Sequence, residues 1–196
     1  MHPDAALPTF RLERGTSLAE AQRADGAPVT LASPALDVMT DLTKVKAATT
    51  HPATTLRQAE QAMIHQGVRM LFVVTEMPLV EGLITSTDLG GDRQMRVVHE
   101  RHLHYDELVV ADVMTPLGAL DAIDHARVGN AAVGNVVATL RRLGRNHLLV
   151  VEAATAQAPR RVRGVISRSQ VERQLGTAID ITPIANSFSE IEQALL

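Results

Sequence analysis

The stretch Gly82-Leu83-Ile84-Thr85-Ser86-Thr87-Asp88-Leu89 decides the fold, because a variant of it returns as Gly164-Val165-Ile166-Ser167-Arg168-Ser169-Gln170. Working outward, Leu71-Phe72-Val73-Val74 precedes the first copy and Leu148-Leu149-Val150-Val151 precedes the second. Farther upstream, Asp37-Val38-Met39-Thr40 is matched by Asp112-Val113-Met114-Thr115. The landmarks keep their order while the spacing between copies grows slowly, as small insertions in surface loops would cause. The largest jump falls on Ala153 to Arg161, an Ala-rich stretch containing Pro159. The chain is therefore two copies of one folding unit, and a ligand site is expected where the copies meet.

Local patterns fill in each copy. In the first, Thr54 or Thr55 can cap a helix, with Gln58 completing a capping box with Thr55, Leu56, Ala59 and Met63 make a helical apolar stripe, and Gly67 supplies a left-handed stop. Leu71 to Thr75 reads as a buried strand, Met77-Pro78 as a turn and Val80 to Thr85 as a second strand of a hairpin. A short helix is expected from Ser86 to Asp88 up to a stop at Gly90-Gly91. The second copy repeats the order. A helix capped by Asn130 carries Val133, Val136, Val137 and Leu140 and ends at Gly144, strands follow at His147 to Val151 and Val162 to Ser167, and a helix runs from Arg168 to Leu175 with Gly176 as its cap. The expected boundaries are an arm over 1–35, a first unit over 36–93, a polar His-rich linker over 94–108, a second unit over 109–176 and an extension over 177–196. The arm either packs on the core or frays, and the extension holds a short apolar stretch at Ile179 to Ile181 and a final helix from Ser187, with Phe188, Ile191 and Leu195 on its apolar side.

Composition narrows the function. A hydrophobic content of 45% can build a real core, and no apolar run approaches the ~20 residues that a membrane span needs. A net charge of −3 lacks the basic footprint of a nucleic-acid binder. With aromatic content at 2%, any flat ring must be sandwiched by aliphatic side chains, and stacking platforms for single strands are missing. The chain has no cysteine, which removes disulfides and thiol chemistry and fits a reducing cytoplasm, the expected location.

Taken together, the repeated Asp-Val-Met-Thr, the capped helix ending in Gly, the Leu-x-Val-Val strand and the Gly-apolar-apolar-Thr/Ser segment resemble a tandem pair of CBS domains, often called a Bateman module, over roughly residues 36 to 176. The resemblance implies an α/β (α+β) fold of two β-α-β-β-α units packed sheet to sheet with pseudo-twofold symmetry, enclosing two clefts. It implies a regulator rather than an enzyme, commonly a homodimer, with AMP, ADP, ATP or S-adenosylmethionine as ligand and no required cofactor. It points to a stand-alone sensor signalling to an effector that the sequence does not name. The alternative is a ligand-free interaction or scaffold module with vestigial clefts.

By the same resemblance, Thr85 and Asp88 hold a ribose in the first cleft. A carboxylate only accepts hydrogen bonds and can take both ribose hydroxyls. The start of the expected helix at Asp88 would add free N–H groups for an anion. Arg69 would face phosphates, while Thr115, Leu120 and Val150 of the other copy would hold adenine. In the second cleft, the equivalent set is Ser167, Gln170, His147 and Thr40, and the amide of Gln170 replaces the ribose carboxylate. That cleft is empty, weak or suited to another ligand. His99, His102 and His104 are the one metal-like cluster, but they fall in the linker at no recognised spacing, so no metal is expected. No nucleophile elbow, P-loop or dinucleotide fingerprint is present, and no catalytic residue is assigned.

Overall fold

The computed structural model describes residues 28–102, 104–155 and 159–180. Most of the N-terminal arm and the helix expected from Ser187 lie outside the described residues. In chain order the elements are β1 (Thr40–Asp41), β2 (Thr49–Thr50), α1 (Leu56–Gln66), β3 (Met70–Val73), β4 (Gly82–Thr85), α2 (Asp92–Arg101), α3 (Val110–Val113), β5 (Thr115–Pro116), β6 (Ala122–Asp124), α4 (His125–Gly129), α5 (Val133–Leu143), β7 (His147–Glu152), β8 (Arg161–Ser167) and α6 (Arg168–Leu175).

Local chemistry explains the two long helices. The Thr55 hydroxyl accepts the Gln58 N–H at 3.3 Å and Gln58 Oε1 accepts the Thr55 N–H at 3.2 Å, so two of the donors left over at the start of α1 are satisfied. Gly67 then ends it at φ 63°. In α5 the buried stripe is Val133, Val136, Val137 and Leu140, and Gly144 ends the helix at φ 60°. Its start differs from expectation. Asn130 closes α4 instead, and the Asn135 carbonyl caps α5 by accepting the Ala132 N–H at 2.9 Å.

The eight strands form two sheets, ordered β2-β3-β4-β5 and β1-β8-β7-β6. In each, one pair is parallel (β2 with β3, β6 with β7) and the rest are antiparallel. The outer strand of each sheet comes from the other copy. Thr40 pairs with Val165, and Thr115 pairs with Leu83. The repeated Asp-Val-Met-Thr segment thus leads each copy in by crossing to its partner's sheet. Strand parity sorts the side chains into three cores. Leu71, Val73 and Ile84 pack under α1 with Leu108, Val110 and Val113. Leu148, Val150 and Ile166 pack under α5 with Ala35, Val38 and Ile179. The opposite faces, Met70, Phe72, Val74 and Leu83 of one sheet and Leu149 and Val165 of the other, pack together as the third core. This is the expected sheet-to-sheet arrangement.

Two sequence expectations fail in the same region. Residues 86–90 form a turn instead of a helix, and the segment read as a linker contains α2 followed by a short 3-10 turn at Tyr105–Glu107. The helix start is displaced because the Asp88 carboxylate is captured by Thr85 and because Gly90 and Gly91 are poor helix formers. Gly91 instead precedes the first helical residue, Asp92.

Glycine is demanded at Gly82 and Gly164 by the crossing strands. A Cβ at Gly82 would collide with the Thr115 carbonyl oxygen and sit 3.3 Å from the Met114 sulfur. A Cβ at Gly164 would sit 2.7 Å from the Met39 sulfur and 2.9 Å from the Thr40 carbonyl oxygen. Gly82→Ala should therefore lower unfolding stability by roughly 1–3 kcal/mol, the usual cost of overpacking. Gly118→Ala, with nothing within 4 Å, should change it by less than about 0.5 kcal/mol. Urea denaturation of both variants checks this, and equal midpoints would overturn the role given to the crossing strand.

Candidate functional site: the cleft between the two copies

Where β4 ends, Thr85 and Asp88 form a closed hydrogen-bonded turn. The Thr85 N–H and hydroxyl both donate to Asp88 Oδ2, at 2.8 and 2.7 Å, and the Asp88 N–H donates to the Thr85 hydroxyl at 3.4 Å. One carboxylate oxygen is thus used to shape the turn, and Oδ1 is the oxygen left to a ligand. The buried Gln94 of α2 holds the turn from behind, its side-chain amide donating to the Asp88 carbonyl at 2.8 Å.

This turn opens onto a cleft lined by Leu83, Thr85, Thr87 and Asp88 from the first copy and by Thr115, Ala119, Leu120, Asp121, Arg145, Asn146, His147 and Leu149 from the second. Of the residues expected here, Thr85, Asp88, Thr115 and Leu120 come together. Val150 does not. It is fully buried under α5, and its neighbour Leu149 takes the cleft position. His147, expected in the second cleft, lies in the first. Both corrections have one cause. His147 and Leu149 share a strand face two residues apart, and that face packs on the opposite sheet, while Val150 has the other parity. Arg69 also departs, since it lines a groove on the outer side with Met63, Ser86 and Leu89. Arg145, at the turn after α5, is the cation that lines the cleft. Asn146, with Arg145 beside it, was expected to face phosphates from the second copy, and both line this cleft. Asp121 and Leu149 were not expected as site residues, and strand parity was the signal that could have found Leu149.

The cleft changes the titration of His147. Burial pushes the imidazole down to about 4, the Asp88 carboxylate pulls the other way, and Arg69 adds to the depression. The ring is therefore neutral at pH 7 and offers one donor and one acceptor.

At the pseudo-equivalent second position, Ser167 caps α6 by accepting the Gln170 N–H at 3.3 Å. The Thr40 hydroxyl donates to Gln170 Oε1 at 3.1 Å, so the residues that would meet a ligand there meet each other. Met70 stands in the strand position that His147 holds in the first cleft. Beyond it, Arg163 makes a two-pronged contact with Asp41, Nε to Oδ1 at 3.0 Å and an Nη to Oδ2 at 2.9 Å, tying β1 onto β8. That guanidinium holds the Asp41 carboxyl far below the usual carboxylate range. Arg161, with Arg163 beside it, lowers Glu152 as well. Among the described residues, no three His, Cys, Asp or Glu side chains gather as a metal-ligand set, and no helix is long and apolar enough to cross a membrane.

The fold is that of a tandem CBS-domain pair. It resembles an uncharacterized conserved protein from Pyrococcus horikoshii at 20% identity, with 79% of this chain and 100% of the other covered and a TM-score of 0.53. It also resembles the CBS domain pair of protein MJ0100, solved in complex with 5′-methylthioadenosine and S-adenosyl-L-methionine, at 19% identity, with 76% and 98% covered and a TM-score of 0.51. A CBS-domain containing protein from Agrobacterium tumefaciens matches at 17% identity, with 68% and 88% covered and a TM-score of 0.50. No protein-family model and no curated protein matches the chain.

The neutral His147 sets a pH window. Between pH 6.5 and about 4 the unfolded chain binds a proton at this histidine that the native chain refuses, so stability should fall as pH falls through that window. At 1.36 kcal/mol per pH unit the full loss is about 3 kcal/mol. From about pH 4.5 downward, at the lower end of that window, Glu152 and then Asp41 add their own losses, because the unfolded chain protonates them first. His147→Asn should flatten the decline between pH 6.5 and 4 relative to the parent protein. Parallel stability–pH curves would show that the ring is not kept neutral by the cleft.

Proposed function

We propose that the chain is a regulatory sensor that binds an adenosyl ligand in the first cleft and passes the change in geometry to a partner protein. The observation that supports this most is the meeting of Thr85 and Asp88 from one copy with Thr115, Leu120 and Leu149 from the other around a single cleft. Thr85 and the free oxygen of Asp88 suit ribose hydroxyls. Leu83, Leu120 and Leu149 supply the aliphatic walls that a flat base requires in a chain with so few aromatics. The neutral His147 and Asn146 can read ring nitrogens by hydrogen bonding. MJ0100, of the same fold, was solved with two adenosyl compounds.

The ligand-free scaffold reading has one specific observation behind it, and it concerns the second cleft. There Gln170 and Thr40 satisfy each other, and no carboxylate waits for a sugar. We therefore assign ligand binding to the first cleft alone.

Isothermal titration against AMP, ATP, 5′-methylthioadenosine and S-adenosylmethionine tests the proposal. Asp88→Asn should weaken the bound compound about ten- to a hundredfold, since a hydrogen bond to a charged group contributes roughly 1.5–3 kcal/mol. Gln170→Asn should change affinity less than about twofold. Equal losses from the two changes would mean that the wrong cleft has been assigned, and no binding by any of the four compounds would favour the scaffold reading.

We also infer a homodimer. Ile64 on α1 and Met95 on α2 are 74% and 66% exposed, and both belong to the helical outer surface of the first half. Sedimentation at tens of micromolar should give about twice 21.1 kDa, and a monomer at that concentration would exclude the pairing.

A further inference from the structure

The titratable side chains lining the first cleft are Asp88, Asp121, Arg145 and His147. Two carboxylates therefore face one guanidinium. We infer that the first cleft is built for an adenosyl ligand without phosphate, carrying an uncharged thioether or a sulfonium cation in its place, and that Asp121 sets this specificity. The inference rests on the adenosyl-sensor reading above and sharpens it.

A phosphate monoester carries about −1.5 to −2 at pH 7 and needs surplus positive charge or unpaired N–H groups. The side chains of the cleft supply no such surplus. Arg145 is outnumbered by the two carboxylates, and His147 is neutral because burial depresses it. Arg69 acts on His147 from outside the lining and brings the local sum only to zero. Four backbone donors of the turn at residues 86–90 are also committed. The Ser86 N–H donates to the Arg69 carbonyl at 3.0 Å, the Asp88 and Leu89 N–H groups to the Thr85 carbonyl at 3.0 and 3.3 Å, and the Gly90 N–H to the Thr87 carbonyl at 3.3 Å. With residues 86–90 folded as a turn, no helix start points its free amides at the Asp88 side of the cleft.

A cation meets the opposite situation. Asp88 uses one oxygen on Thr85, but Asp121 has no such structural duty. It stands exposed at the cleft, one residue before β6, with the aliphatic Leu120 beside it. Opposite charges across a partly desolvated cleft attract more strongly than in water. The acidity is a property of this cleft only. In the other copy, Ala48 holds the position directly before the parallel strand β2, and Gln170 holds that of Asp88.

The test is titration calorimetry at one ionic strength with S-adenosylmethionine, 5′-methylthioadenosine, AMP and ATP. The two compounds without phosphate should bind at least about tenfold more tightly than AMP and ATP. Asp121→Asn should weaken S-adenosylmethionine about fivefold, strengthen AMP by a similar factor and leave 5′-methylthioadenosine within about twofold, as expected for removing one charge at a distance. Asp121→Lys should reverse the order, placing AMP above S-adenosylmethionine. Asp121 is exposed, so both variants should keep the parent's ligand-free melting temperature. AMP or ATP binding as tightly as 5′-methylthioadenosine to the parent protein would overturn the inference while leaving the adenosyl sensor intact, and so would unchanged affinities in both variants. Failure of all four compounds to bind would overturn both.

Discussion

The structure depends on one close approach of backbone to backbone. The strand that leads into each copy lies so near the other copy's β-hairpin that Gly82 has no room for a Cβ beside Thr115, and Gly164 has none beside Met39 and Thr40. Neither sheet has its full set of strands without this exchange, because β5 closes one and β1 closes the other. The exchange also covers sheet edges that would otherwise present unpaired N–H and C=O groups. Two repeated motifs that look independent in the sequence are therefore one geometric condition. Asp-Val-Met-Thr supplies the crossing strand, and the Met sulfur fills the space over the glycine. The glycine admits the strand, and the Thr at its end arrives at the mouth of the cleft.

The cleft follows from the same crossing together with strand parity. Face-to-face sheets put every second side chain of β3, β4, β7 and β8 into a shared core of Met70, Phe72, Val74, Leu83, Leu149 and Val165. The same parity, carried to the strand ends, delivers Thr85 and His147 to the cleft. Burial that stabilises the contact between copies, on the order of 1.5–3 kcal/mol for each fully buried large apolar side chain, thus also fixes the spacing of the cleft walls. A ligand in that position touches both copies, and it can bias their arrangement only to the extent that its contacts differ between arrangements.

Much of this was legible because it is local. The Thr55–Gln58 cap, the valine stripe of α5 and the glycine stops at Gly67, Gly144 and Gly176 each involve residues within a few positions of one another, and all formed as read. The sheet-to-sheet pair was expected from the resemblance to a tandem CBS pair and not from the spacing of the repeat. What could not be read was set by partners distant in sequence. α2 was taken for a linker because its packed face is short and mixed: the buried Gln94 stands beside Val97 and Val98, which pack on the first core, while Met95 is exposed. The turn at 86–90 replaced a helix because Asp88 turns back onto Thr85. His147 and Val150 were misplaced because the face a strand residue takes depends on which sheet lies across from it, and Arg69 was misplaced because the cleft takes its cation from the turn after α5.

α2 connects these parts. Gln94 at its start holds the Asp88 carbonyl, and Arg101 at its end pairs with Asp112. Asp112 in turn accepts the Val109 N–H at 2.9 Å and so caps α3, which runs directly into Met114 and Thr115. One helix is therefore fastened to both walls of the cleft, to the Thr85–Asp88 turn at one end and to the crossing strand at the other. Among the described residues the second copy has no such strap. Its α6 begins at Arg168, directly after the capping Ser167, and Gln170 is already engaged with Thr40. Two copies of one unit have thus diverged into an open cleft, whose walls share a helix that faces outward, and a second position that satisfies its own polar groups. Such a divergence needs no change of fold: the Asp88 carboxylate turns onto Thr85 in one copy, and the Gln170 amide meets Thr40 in the other.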